Sequence, residues 1–139
     1  MSPGLDLVDV MARLTPFSDL SHPQLEAAVQ AFEEVSFQEG QRVLRQGFSS
    51  PSFYVIISGE ASVLIHGIER GRLSQGDFFG EIAILLGKPV TADVVATTTL
   101  RCMTLPGNEV RGFLTAHPAV MYRVLEAEAR RLQEIEWRN

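Results

Sequence analysis

A single cysteine, Cys102, stands in a chain of 139 residues. It leaves no partner for an intrachain disulfide and fits a reducing, cytoplasmic setting. Long apolar runs are missing as well. Stretches such as Phe53–Ile57 and Ile82–Leu86 fall far short of a membrane-spanning helix. The opening Met-Ser-Pro-Gly-Leu-Asp lacks the basic start and apolar centre of a signal peptide. Basic residues are in deficit, with 12 Lys and Arg against 17 Asp and Glu, a formal charge of −5 and a pI near 5.1. That balance argues against a general nucleic-acid surface, which needs clustered Lys and Arg. It leaves room for a small anion held by one local positive group. The three histidines, His22, His66 and His117, lie far apart and lack the His-x-His spacing of a jelly-roll metal enzyme, so no metal site is expected. Motifs built around a nucleophilic Ser or Cys are absent too. The expectation is a protein that is not an enzyme and requires no cofactor, with Cys102 as a small core residue.

What is present is an ordinary globular composition, 45% hydrophobic and 21% charged. Without repeats, low-complexity tracts or long linkers, residues 1–139 read as one domain. Leu7, Val10, Met11 and Leu14 carry the spacing of an amphipathic helix over Leu5–Leu14, which Thr15-Pro16 breaks. Ser21-His22-Pro23-Gln24 is a capping-box pattern and predicts a second helix with Leu25, Ala28, Val29 and Phe32 inward. From Val35 the period changes to that of strands. Val35–Phe37, Val43–Leu44, Phe53–Ile57, Ala61–Ile65, Ile68–Leu73, Val90–Ala96 and Thr98–Leu105 are the expected strands. Ser58-Gly59-Glu60 suggests a hairpin, and His66-Gly67 a further turn. Asn108 is the expected cap of a helix through Val110, Phe113 and Leu114, and Pro118 opens a last helix to about Arg138. On that helix Glu126/Arg130 and Glu134/Arg138 sit four apart in the favourable order. Met121, Val124, Leu125, Leu132 and Ile135 form a stripe interrupted by Glu128. The fold class is α+β by content and mainly β: a β-sandwich or jelly roll, with N-terminal helices over 1–34, strands over 35–106, and C-terminal helices over 107–139.

One segment, residues 76–94, carries the sharpest pattern: Phe79-Gly80-Glu81-Ile82-Ala83, a short gap, then Pro89-Val90-Thr91-Ala92. It resembles the phosphate-binding cassette of the cyclic nucleotide-binding domain family, which reads Phe-Gly-Glu-(Leu/Ile)-Ala and then Pro-Arg-(Ala/Ser/Thr)-Ala. Phe17–Ser21, Phe53–Glu60 and Leu114–Pro118 look like family segments in the same order. The resemblance covers about 110 residues, from Phe17 to the last helix, and implies a jelly-roll-like β roll (double-stranded β-helix) over 35–106 between the N-terminal and C-terminal helices.

The resemblance implies a site. Gly80 would let backbone approach a ligand at the start of a short helix. Glu81 would accept a hydrogen bond from a ribose 2′-hydroxyl, with the backbone of Ile82 and Ala83 beside it and Phe79 ahead of it. Thr91 would offer N–H and hydroxyl to a phosphate oxygen, with Ala92 following. The departure is Val90, where the family has Arg. Valine supplies neither the charge nor the bidentate donors that hold a phosphate, and losing one partner of such a pair costs about 2–5 kcal/mol, roughly 30-fold to several-thousand-fold in affinity. Lys88 is the candidate surrogate cation, against the reading of a solvated loop lysine. Asp93 repels a phosphate if it faces inward and is surface if it faces outward. Each residue also has a plainer role: Glu81 as a helix cap or a partner for a base, Phe78 and Phe79 as core, Thr91 as a strand residue, Trp137 as packing rather than a lid.

The expected function is thus a regulatory module for cAMP or cGMP with weakened or altered affinity. The alternative is a degenerate member that acts through protein interaction or as a homodimer along helix 118–138. In related bacterial regulators that helix leads into a DNA-binding domain. No helix-turn-helix is seen here, so no DNA binding by this chain is expected.

Overall fold

The computed structural model describes residues 7–48 and 51–138, with side chains as far as 134. Among the described residues eight strands form two four-stranded antiparallel sheets. They are β1 (Glu33–Phe37), β2 (Arg42–Leu44), β3 (Ser52–Ser58), β4 (Ala61–Ile65), β5 (Ile68–Leu73), β6 (Phe78–Phe79), β7 (Asp93–Ala96) and β8 (Leu100–Pro106). One sheet has the order β1-β8-β3-β6 and the other β2-β7-β4-β5. Helices α1 (Leu7–Met11) and α2 (His22–Val29) precede the strands, with a 3-10 turn at Thr15–Phe17 between them. Helix α3 (Glu81–Leu86) interrupts the strands, and α4 (Gly107–Ala116) and α5 (Pro118–Arg138) follow. The mainly-β roll flanked by helices is the architecture expected from the sequence.

Period-two alternation in a strand covered on both sides explains why β3 reads as a continuous apolar run. Phe53, Val55 and Ile57 of β3, with Met103 and Leu105 of β8, point to a core shared with the helices, where they meet Met11, Leu14, Phe17, Phe32, Val110, Phe113, Val120 and Val124. Ile56 of β3 and Cys102 of β8 point the other way, into a second core inside the roll with Leu44, Ala61, Phe79, Val94, Ala96 and Leu100. Both faces of β3 are covered, so its central residues are apolar on either side. Phe78 and Phe79 divide in the same manner, one to each core, and both are core residues as the sequence suggests. Burial pushes the Cys102 thiol up to about 12.

Local signals worked where both partners were local. Ser21 caps α2 through a complete capping box: its hydroxyl accepts from Gln24 N–H and the Gln24 side chain accepts from Ser21 N–H. His66 and Gly67 both take positive φ, 53° and 79°, in the two-residue turn of the β4–β5 hairpin. The turn at Gly59 is different. β3 pairs with β8 and β6, whereas β4 pairs with β5 and β7, so residues 58–60 carry the chain from one sheet to the other and form no hairpin. Gly59 is required there because its φ is 95° and a Cβ would run into the Thr99 carbonyl. The expected strand from Val90 begins only at Asp93, since the backbone N–H and carbonyl of Val90 are bonded to Phe48 and Gly47. Asn108 lies inside α4, whose N-cap is Pro106 without a side-chain bond. In α5 the apolar stripe divides: Val120 and Val124 are buried, while Met121, Leu125 and Leu132 are exposed. Arg130 pairs with Glu126 at 3.6 Å. The start of the first expected helix at Leu5, the Glu134/Arg138 pair, Ile135 and Trp137 lie outside the described residues or side chains.

Candidate functional site

The cassette opens where β6 runs into α3. Gly80 sits at φ 90° as the N-cap of α3, and a Cβ there would collide with the Ser52 carbonyl of β3. Glycine is demanded by this close approach of cassette to sheet. Phe79 packs in the roll core, its ring stacked on Tyr54 with centroids 4.8 Å apart. Ala83 enters the same core, while Ile82 turns outward and is 47% exposed.

Glu81 is the buried carboxylate of the site, 3% exposed. It faces α5. Arg131 donates from Nη1 to Glu81 Oε2 at 3.0 Å and to Glu128 Oε1 at 3.3 Å, and from Nη2 to the Phe78 carbonyl at 2.8 Å. Its guanidinium also lies 4.4 Å from the centre of the Phe78 ring. Burial, and then the neighbouring Glu128, push the Glu81 carboxyl up to about 9, against the pull of Arg131.

The second half of the cassette is built differently. Val90 is 6% exposed within the roll core. Its N–H donates to the Phe48 carbonyl at 2.8 Å, and its own carbonyl accepts from Gly47 N–H at 2.7 Å. Thr91 is exposed and Ala92 half-buried. Asp93 accepts from Gln46 N–H at 2.7 Å and lies 3.8 Å from Arg42, so it is committed to β2 and its flank. Lys88 is exposed and lines a cavity of about 590 Å³ outside the roll, between α3 and the start of α4, together with Pro51, Ser52, Ala83, Pro89 and Gly107. A second cavity, about 240 Å³, lies between α5 and the turn at Gln75–Phe78, where Arg123, Arg130 and Arg131 face Asp77, Glu126 and Glu134.

Residues 34–117 match the family described as Cyclic nucleotide-binding domain. The chain belongs to the cyclic nucleotide-binding domain family. Solved structures with the same fold include PKAR CBD2 with Sp-2Cl-cAMPS bound, at 20% identity and a TM-score of 0.76, over 92% of this chain and 88% of that one. Thermus thermophilus Catabolite Activator Protein is similar at 23% identity and a TM-score of 0.78, over 89% of this chain and 61% of that one. The regulatory subunit of a cAMP-independent protein kinase A from Trypanosoma brucei follows at 21% identity and a TM-score of 0.77, over 88% and 46%. The chain therefore spans about half to three-fifths of the length of the last two. No helix among the described residues is long and apolar enough to cross a membrane.

In this cyclic nucleotide-binding domain the cassette residues are thus drawn into separate environments. Phe79, Ala83 and Val90 meet in one apolar core, whereas Glu81 turns to α5 and Ile82, Lys88 and Thr91 face outward. Arg131 is the residue that sequence reasoning missed. A signal for it exists: Val120, Val124, Ala127 and Arg131 follow one another at four, three and four residues, so Arg131 continues the inward face of α5. A buried Glu81 needs a partner, and a cation on that face can supply it.

Proposed function

We propose that the chain is a regulatory module that senses a cyclic nucleotide, cAMP or cGMP, with an affinity weakened at position 90. Val90 carries this reading. Its side chain is packed among apolar neighbours and both its backbone polar groups are taken by residues 47–48. A phosphate at this end of the cassette would find no guanidinium where the family pattern places one. Membership of the family, and the likeness to a domain holding Sp-2Cl-cAMPS, support a cyclic nucleotide as the ligand class. In this reading the backbone of Gly80, Ile82 and Ala83, the Glu81 carboxylate, and Thr91 and Ala92 contact the ligand, and the final helix is the responding element.

Calorimetric titration of the native chain and of Val90→Arg with cAMP and cGMP tests this. The native chain should bind weakly, and the variant at least about 30-fold more tightly, the low end of the value of a buried charge pair. Tight native binding would overturn the weakening at position 90. Absence of binding by both proteins would favour a second reading, an interaction or dimerisation module acting through residues 118–138. Exposed Met121, Tyr122, Leu125 and Leu132 on α5 support that reading, as does the existence of a cAMP-independent protein kinase A regulatory subunit with this fold.

A further inference from the structure

The cavity of about 590 Å³ between α3 and the start of α4 lies outside the roll, apart from the ligand position that the cassette implies. Residues 51–52, 83–84, 87–89 and 106–108 enclose it, so four separate stretches of chain meet there. Its floor is apolar: Ala83 is buried in the roll core, and Ile84 packs against the helix-side core. The walls touch one another, because a Cβ on Gly107 would run into the Pro51 carbonyl and press on Ile84. Pro51, Pro89 and Pro106 each have a fixed φ. The cavity is thus formed by the packing of the elements around it. Its size falls within the range of small-molecule sites, about 300–1,000 Å³.

The polar groups of this cavity are few, and its charge is of one sign. Lys88 is the charged residue of the lining, and among the described residues no carboxylate lines it. Lys88 and Asn108 are exposed at the rim, and neither side chain is engaged in a hydrogen bond or ion pair among the described residues. The Lys88 backbone is held, since its N–H donates to the Ala83 carbonyl at 3.1 Å. Its stem therefore starts from a fixed point and can lie along the apolar wall with the ammonium in water. An apolar body would leave water for the floor while a terminal negative group meets that ammonium. We propose that this cavity is a second binding site, for a small molecule with an apolar body and a single carboxylate. A nucleotide, with its many polar atoms, would find too few partners here. The site is independent of the reading of the cassette as a nucleotide sensor, because neither Glu81 nor Val90 lines it.

Naphthoate has both features and serves as the probe. Its titration into the native chain, followed by amide chemical shifts, should move Ser52, Ile84, Lys88 and Gly107, with a Kd of about 1 mM or tighter. Naphthamide has the same shape without the charge. It should bind roughly three- to fivefold more weakly, the value of an exposed charge pair. Lys88→Met should weaken naphthoate by that same factor and leave naphthamide unchanged. No shift at up to about 10 mM naphthoate, tenfold above the expected Kd, would overturn the site. Shifts confined to residues inside the roll, such as Ala61, Val63 and Leu73, would place the acid there and overturn it equally. Equal affinity for acid and amide, or loss of both in the variant, would overturn the assignment of the ligand as an anion held by Lys88.

Discussion

Residues Phe79–Ala83 and Lys88–Ala92 belong to one cassette, yet different forces hold them. In the first group the fold dictates nearly every residue. Phe79 fills the roll core, Gly80 abuts the Ser52 carbonyl, Glu81 is clamped by Arg131, and Ala83 fits against the core; only Ile82 is exposed. In the second group only Val90 is buried, while Lys88, Pro89 and Thr91 are in solvent. The persistence of a family-like Phe-Gly-Glu-Ile-Ala therefore says little about ligand, because packing alone would preserve it. A requirement for ligand would show in the second group, where packing constrains only one position.

The largest expected effect tests the first group. Gly80→Ala combines a positive φ with a collision against the Ser52 carbonyl and should cost about 2–3 kcal/mol of stability in thermal or urea unfolding. Gly87→Ala, at the other end of the same helix, also has positive φ but open space around it, and should cost about 1 kcal/mol. Equal losses at the two sites would show that the approach to β3 contributes nothing beyond backbone conformation.

A smaller effect comes from Glu81. Its carboxyl is raised from 4.5 to about 9 in the folded chain, so between these values the folded state holds a proton that the unfolded state has released. Its contribution to stability therefore falls as pH rises through that window. Glu81→Gln should flatten this decline in urea unfolding measured across the same pH range. A slope unchanged by the substitution would remove Glu81 as its source. Asp19 acts in the opposite sense: its bond to Arg123 lowers its pKa, so its contribution is present above the ordinary carboxyl range and is lost on acidification.

The smallest effect belongs to the second group. Thr91→Ala, at an exposed position outside any strand, should change stability by less than about 0.5 kcal/mol. A larger loss would mean that Thr91 is held by the fold after all, and the contrast between the two halves of the cassette would fade.

Much of the fold could be read from local pattern. The last helix, Pro118–Arg138, and the strands Ala61–Ile65 and Ile68–Leu73 lie where their periodicity and turn residues place them. The errors share a cause. Ser58-Gly59-Glu60 has the composition of a hairpin turn, but the partner of β3 is chosen by the packing of two sheets, and the chain crosses between them instead. Asn108 is a good cap by type, yet α4 already starts at Gly107, where a Cβ would meet the Pro51 carbonyl. Val90–Ala92 look like strand residues by propensity, yet the backbone of Val90 is claimed by residues 47–48.

By itself the amino-acid order determined the family, the alternation that buries both faces of β3, the capped start of α2 and the cassette with valine at position 90. These depend on neighbours a few residues apart, and the chain states them directly. Only the tertiary structure decided where the cassette carboxylate points. Glu81 and Arg131 are 50 residues apart, and no periodicity connects them. Their pairing exists because α5 folds back over the turn at Thr15–Phe17 and brings one guanidinium above a carboxylate that water cannot reach.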